Sequence, residues 1–294
     1  RKTAQICYNS DLFSDPIKLI NATNVDAGVI AAPDDLHAKF AIECLNAEKP
    51  VLCEKPLASK SSEAIEIINK EVLKKRRLIS VGFNRRFDPA HAKVKEICKS
   101  GKLGLPLLWR GTHRNPEAMY QTSGPFILMN SAGHDIDSAR WLLESDIEKI
   151  SVKGIRSRNE LPNDSRDLLV LQMTMSNGLL AIAEVYVNAN YGYEVIAEVV
   201  CQNGSVSTLR PSLTCIKSTN LTGIPITSDF RTYFSDSYLL EITSWVSSLQ
   251  EGREFPGANA WDGYEAVAVS EAAGKSLLED KPISVNLVKK PELY

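Results

Sequence analysis

The chain has 294 residues, 44% hydrophobic and 24% charged, enough to bury a sizeable core and to form two domains. Its 34 basic and 36 acidic residues nearly cancel, and no long basic run stands out, which argues against nucleic acid or a membrane surface as partner and favours a small molecule. The six cysteines, at 7, 44, 53, 98, 201 and 215, form no CxxC pair and no apolar stretch is long enough to span a bilayer, so no metal site, disulfide framework or membrane anchor is indicated and a reducing cytoplasm is the expected setting.

From Val25 to Ile79 short apolar runs alternate with amphipathic stretches, the pattern of parallel strands joined by crossover helices. The run at 25–33 reads as a buried strand ending at Pro33, and 36–49 as a helix. Residues 50–57 give a second strand and a turn, and 61–75 a second helix with Ser62 or a neighbour as N-cap and Ile65, Ile67 and Ile68 inward. Residues 77–83 supply a third strand. This order is half of a doubly wound sheet.

Beyond Arg86 the character changes. Segments 105–113, 149–157, 166–175, 178–189 and 193–201 are rich in β-formers and are separated by turn residues such as Ser176-Asn177-Gly178 and Asn203-Gly204, which predicts an antiparallel sheet. Helices are expected at about His134–Leu143 and Ser237–Leu249, and over the Ala-rich stretch from Asp262 to Glu279. The expected fold is therefore α/β plus α+β. A partial, N-terminally incomplete Rossmann-type domain spans 1–86. A domain with a large, mainly antiparallel open sheet flanked by helices spans 87–294, and its tail from about 262 is a candidate to pack back on the first domain.

Ligands of open parallel sheets bind outside the carboxyl ends of the strands. Three loops qualify, carrying Asp34, Asp35 and His37; Glu54 and Lys55; and Asn84, Arg85 and Arg86. Lys55 stands between a buried strand and Pro56, which fixes the turn. Two readings fit it: a surface lysine paired with Glu54, or a clamp that stabilises a substrate alkoxide as hydride leaves. His134, in the segment from Asn130 to Asp137, is either a general base working near neutral pH or a satisfied interior histidine. Asn130, one helical turn earlier, is placed to contact His134 or a substrate, and Asp135 and Asp137 to cap or flank the helix. His113, Arg114 and Asn115 suit a polyhydroxylated ligand but fit a polar loop equally well. His91 reads as structural.

Taken together, the segments 31–37 (AAPDDLH), 53–58 (CEKPLA), 81–89 (VGFNRRFDP), 113–116 (HRNP) and 133–137 (GHDID) resemble the Gfo/Idh/MocA oxidoreductase family in order and spacing. The stretch 261–285 is similar to that family's C-terminal helix and tail, and GFNRRFD and HRNP are most similar to its inositol dehydrogenases. The resemblance implies hydride transfer between NAD or NADP and a cyclitol or sugar, with Lys55 as substrate clamp and His134 as acid/base. It also implies Ala32, Pro33, His37, Glu54 and Asn84 in the cofactor cleft, Arg85, Asn115, Asn130 and Tyr120 toward substrate hydroxyls, and a homodimer or homotetramer. Other activities of the family, such as aldose or dihydrodiol oxidation or cofactor-recycling glycoside hydrolysis, fit as rivals, as does a non-catalytic oligomeric binding protein.

Two departures stand out. Asn130 occupies a position where inositol dehydrogenases usually carry aspartate, so an altered pH profile or substrate choice is expected, because an amide cannot stabilise an imidazolium as a carboxylate does. The family's strand, GxGxxG turn, helix and ribose-selecting strand do not appear before Val25. A βαβ unit of about 30 residues is thus expected ahead of Arg1, without which dinucleotide would bind poorly.

Overall fold

The computed structural model describes residues 10–118, 123–209 and 215–294. After a short helix, α1 (Pro16–Ile20), come β1 (Gly28–Ile30), α2 (Asp34–Asn46), β2 (Val51–Cys53), α3 (Ser61–Lys74) and β3 (Ile79–Val81). These strands pair in parallel with Val29 opposite Leu52 and Leu52 opposite Ser80. The helices bury residues at helical spacing, His37, Ala38, Ala41, Cys44 and Leu45 in α2 and Ala64, Ile67, Ile68 and Glu71 in α3.

A single 3-10 turn (Asn84–Phe87) follows β3 and leads into α4 (Pro89–Lys99), which Asp88 caps by accepting from the His91 amide. His91 is buried with Nδ1 2.7 Å from Asp88, as its structural reading implied.

Next come β4 (Pro106–Arg114), α5 (Gly124–Asn130), α6 (Ala132–Leu143), β5 (Ile147–Ile155), β6 (Leu168–Met175), β7 (Leu180–Tyr186), β8 (Glu194–Cys201) and β9 (Gly204–Ser207). A hairpin, β10 (Ile216–Ser218) and β11 (Leu221–Gly223), precedes α7 (Phe230–Tyr233), α8 (Ser235–Glu251), β12 (Ala258–Asn259), α9 (Ala260–Glu279) and β13 (Ile283–Ser284).

The second sheet has the order β13-β5-β6-β7-β4-β8-β9. All its pairs are antiparallel except β4 with β7, so the run of hairpins implied by the turn signals is interrupted by one parallel neighbour. One face is the core, where Trp109, Leu171, Met173, Ala183, Val185 and Val199 are buried. The other face leaves Val170, Leu180 and Ile182 exposed.

The late elements return to the first sheet: β12 pairs antiparallel with β3, Ala258 opposite Val81. Asn259 and Asp262 then form a reciprocal capping box that starts α9, which packs on α3, β3, α5 and β5. Its close approach to the loop after β2 requires Gly263, where a Cβ would lie 2.8 Å from that of Leu57. Among the described residues no helix is long and apolar enough to cross a membrane.

Candidate functional site

The carboxyl ends of β2 and β3 deliver Lys55 and the Asn84–Phe87 turn to the region where α5 gives way to α6. The parallel ladder continues past the strands, with the Glu54 amide donating to Ile30 and that of Gly82 to Cys53, so the backbone on either side of Lys55 is held before its cis peptide bond to Pro56. Lys55 is half-buried, and its Nζ donates to the main-chain carbonyl of Asn130 at 3.2 Å. Burial pushes its pKa down, against the pull of Glu54 and Asp34.

Asn130 ends α5, and Ser131 separates it from α6, so Asn130 and His134 do not share one unbroken helix as their spacing suggested. What Asn130 gives to Lys55 is its carbonyl oxygen, a group any residue supplies. His134 sits in the first turn of α6, with its ring edge-on to Phe83 at 6.0 Å between centroids. Its Nδ1 is enclosed without a hydrogen-bond partner among the described residues. Burial, reinforced by Arg85 and Lys55, pushes its pKa well below the usual histidine value, so the ring is neutral at physiological pH.

Behind these groups lies a buried charged cluster. Arg85 Nη1 donates to Asp135 at 2.7 Å, and His113 Nδ1 lies 2.9 Å from Asp135 and 3.1 Å from Arg85 Nη2. Burial opposes ionisation of Asp135, but Arg85 and His113 outweigh it and hold the carboxyl at about 2. The expectation that Arg85 faces substrate is corrected to this extent: its side chain is buried and its guanidinium is committed to Asp135 and His113. Arg86 grips Asp137 with two N–H groups, at 3.0 and 2.6 Å, and reaches Asp262 at the start of α9. Asp135 and Asp137, read from sequence as caps or flanks, are thus the acids that lock the Asn84–Phe87 turn to α6.

The remaining predicted positions divide. Ala32 and Pro33 lie at the carboxyl end of β1, Pro33 as the N-cap of α2. Glu54 accepts from the Lys55 amide at 3.3 Å and packs on Gly82. Asn84 is buried, with its amide donating to Ser237 Oγ on α8 at 3.0 Å. Asn115 follows β4, its amide donating to Tyr186. Tyr120 lies outside the described residues. His37 is a further correction: it is 1% exposed, with Nδ1 2.6 Å from the Pro56 carbonyl oxygen and Nε2 2.8 Å from that of Ala32. The ring spans the carbonyls of the loops after β1 and β2, donating to one of them from its single N–H when neutral, so His37 shapes the cleft from behind.

Sequence reading missed two contributors. Tyr193, at the start of β8, stands edge-on to His113 at 6.0 Å. Glu241, on α8 one turn beyond Ser237, is 2% exposed, with Oε1 unpartnered among the described residues. The only sequence signal for Glu241 was an acid on the otherwise inward face of an amphipathic helix.

A larger concavity of about 500 Å³ opens elsewhere, lined by Lys95, Lys99, Arg140, Glu144 and Asp146 among others. Its charges are largely paired with one another, Glu144 with both lysines and Asp146 with Arg140. Among the described residues no group of three or more His, Cys, Asp or Glu is arranged to hold a metal ion.

The chain matches the model of the oxidoreductase family with an NAD-binding Rossmann fold over residues 2–83, and that of the GFO/IDH/MocA C-terminal domain over 91–207. It belongs to the Gfo/Idh/MocA oxidoreductase family. Inositol 2-dehydrogenase 1 of Saccharopolyspora erythraea is 39% identical over 281 residues, 96% of this chain and 83% of that protein. The inositol 2-dehydrogenase of Rubrobacter xylanophilus is 38% identical over 97% of this chain and 82% of its own length. Among solved structures, myo-inositol dehydrogenase from Lactobacillus casei, in complex with NAD(H) and myo-inositol, superposes with a TM-score of 0.94 at 26% identity, covering 99% of this chain and 87% of that one. The Rossmann-type parallel sheet followed by a mainly antiparallel sheet is therefore the family's architecture.

The residues at the sheet edge fit a nicotinamide dinucleotide. Lys55 and Glu54 supply a donor and acceptors at the ends of the parallel strands, where a dinucleotide binds on such a sheet.

Proposed function

We propose that this protein oxidises a ring hydroxyl of a cyclitol such as inositol to the ketone, and reduces the ketone in the reverse direction, using NAD or NADP. The observation that carries the reading is the Lys55–Asn130 hydrogen bond, which joins residues 75 apart in sequence and brings the lysine to the junction of α5 and α6, where His134 opens the second helix. Bound dinucleotide supplies the hydride acceptor at nicotinamide C4.

Lys55 orients the substrate hydroxyl and stabilises the oxygen as negative charge develops on it. Neutral His134 accepts the hydroxyl proton. Since Nδ1 is enclosed, Nε2 is the nitrogen that takes it. The Arg85–Asp135–His113 cluster holds the turn after β3 and β4 against the first turn of α6, and so positions the backbone that carries His134. Asn115, Tyr120 and Asn130 are the proposed contacts to other substrate hydroxyls, and Ala32, Pro33, Glu54 and Asn84 the proposed lining of the dinucleotide side. The cyclitol assignment draws on the inositol dehydrogenase relatives together with this site.

Purified protein incubated with NAD or NADP and either myo-inositol, scyllo-inositol or a panel of aldoses tests the reading by formation of reduced nicotinamide. Turnover confined to aldoses would replace the cyclitol. Dinucleotide and polyol binding with no turnover would favour a binding protein, a second reading for which Asn130 in place of the usual aspartate is the specific support.

The exposed apolar residues Val170, Leu180 and Ile182 on the outer face of the second sheet support a homodimer or homotetramer assembled through that face. The free thiols of Cys44, Cys53, Cys98, Cys201 and Cys215 support a cytoplasmic setting.

A further inference from the structure

We propose that Asn188, oriented by Asp167, is a positioning residue for the substrate: it ties down the segment after β4 that carries Asn115, and so sets how tightly the polyol is held. This rests on the dehydrogenase reading above and on Asn115 as a substrate contact.

Three strand ends meet here. β4 and β7 run parallel and finish together, with Arg114 opposite Tyr186, and the antiparallel β6 begins beside them, with Leu168 opposite Tyr186. The ladder runs on past the strands, the Asn115 amide donating to Tyr186 and that of Val187 to Asp167. Pro116 confines Asn115 to extended backbone. Strand alternation therefore continues past Arg114 and places residue 115 on the same face as His113, the face of the buried cluster with Arg85 and Asp135.

Main-chain bonds dock the start of this segment on the chain leaving β7: the Ala189 amide donates to Asn115 and the Asn190 amide to Pro116, each at 2.9 Å. Farther along, the Ala118 amide donates to a side chain, Asn188 Oδ1, also at 2.9 Å. Both Asn188 and Asp167 are buried.

Asp167 decides which way the Asn188 amide turns. Its carboxylate accepts from the Ser157 amide and hydroxyl and from Asn188 Nδ2, the last at 3.1 Å. Burial pushes this carboxyl up, but the donors outweigh it and hold it below its ordinary value, so it is ionised and only accepts. The amide nitrogen of Asn188 must face it, which leaves Oδ1 for Ala118. Arg158 secures the backbone of the same residue by donating to the Asn188 carbonyl at 2.7 Å. Without the Asn188 side chain, Ala118 loses its acceptor and Asp167 one of its donors. The segment is then no longer held in register with the face of His113, and a displacement of about 1 Å is enough to weaken a substrate contact.

Steady-state kinetics with the most active polyol of the panel above, alongside NADH affinity from fluorescence titration, test the assignment. Asn188→Ala should raise KM for the polyol about tenfold, with kcat falling by less and NADH affinity unchanged. Asn188→Asp keeps an acceptor for Ala118 but sets a second carboxylate against Asp167, and KM should rise at least as far. Adding Asp167→Asn to Asn188→Asp again faces one donor with one acceptor, and KM should return toward the wild-type value. This second pair decides the question even if Asn188→Ala does not fold. A wild-type KM in Asn188→Ala, a double variant as impaired as Asn188→Asp, or NADH affinity lost in parallel with polyol affinity would overturn the positioning role and leave the dehydrogenase reading intact. No turnover by the wild type with any polyol of the panel would overturn both.

Discussion

Arg85 and Asp135 face each other at 2.7 Å with 3% and 1% of their side chains exposed, one from the turn after β3 and the other from the first turn of α6. Asp135→Asn removes the charge that keeps Arg85 tolerable in the interior, and the expected loss is about 3–5 kcal/mol of stability. Denaturant titration measures it; a loss within experimental scatter would show that the pair does not hold the two elements together. The pH dependence has a definite sign. With Asp135 held at about 2 when folded, below its ordinary value of 3.8, its contribution is present above pH 4 and is lost as pH falls toward 2. The acid limb of the wild-type stability curve should therefore be shallower in Asp135→Asn.

His134 is the proposed proton acceptor, and His134→Ala should lower turnover about 10²–10⁴-fold while leaving dinucleotide affinity nearly unchanged. Because its pKa is depressed by burial and by Arg85 and Lys55, His134 is neutral across pH 6–9 and should contribute no limb to the rate profile there. The alkaline limb should instead belong to Lys55, which burial brings below the usual lysine value, and Lys55→Met should erase it. Stopped-flow rates over pH check both statements, and an alkaline limb surviving in Lys55→Met would remove Lys55 from its role.

Glu241 bears on stability through its burial on α8. Its folded pKa of about 8 exceeds the unfolded value of 4.5, so between these values the folded chain holds the extra proton and stability falls as pH rises. The decline is bounded at about 1.4 kcal/mol per pH unit. Glu241→Gln should therefore gain on the wild type as pH rises from 5 to 9, read as the difference between their melting temperatures. A constant difference would mean that Glu241 is ionised throughout.

Ile182 is 37% exposed at the middle of the outer face of the second sheet. Ile182→Asp, combined with Val170→Lys, should give a smaller species by light scattering with unchanged far-UV circular dichroism, because a charged face resists burial against a second copy. An unaltered mass would place the interface elsewhere.

The elements themselves were legible in the chain because their signals are local. Period-two alternation located the central strands of the second sheet to within a few residues, and helical spacing located α2, α3 and α9. The proposed site residues stood out for a related reason: Lys55 and His134 sit in short segments whose residue types suit the proposed chemistry and resemble the family's motifs.

What the tertiary structure decided is which of these groups meet. The contacts that build the site join residues 50, 75 and 153 apart, Arg85 with Asp135, Lys55 with Asn130, and Asn84 with Ser237. No spacing rule reaches so far, because they arise only once α6 and α8 have docked on the ends of β2 and β3. The same docking turned His37 into a staple between two loops and enclosed the charge of Arg85. It also buried Glu241, where a sequence shows only an acid on a helix. Local periodicity sets what each segment forms; the choice of which polar groups are withdrawn from water, and hence their protonation, belongs to the packed whole.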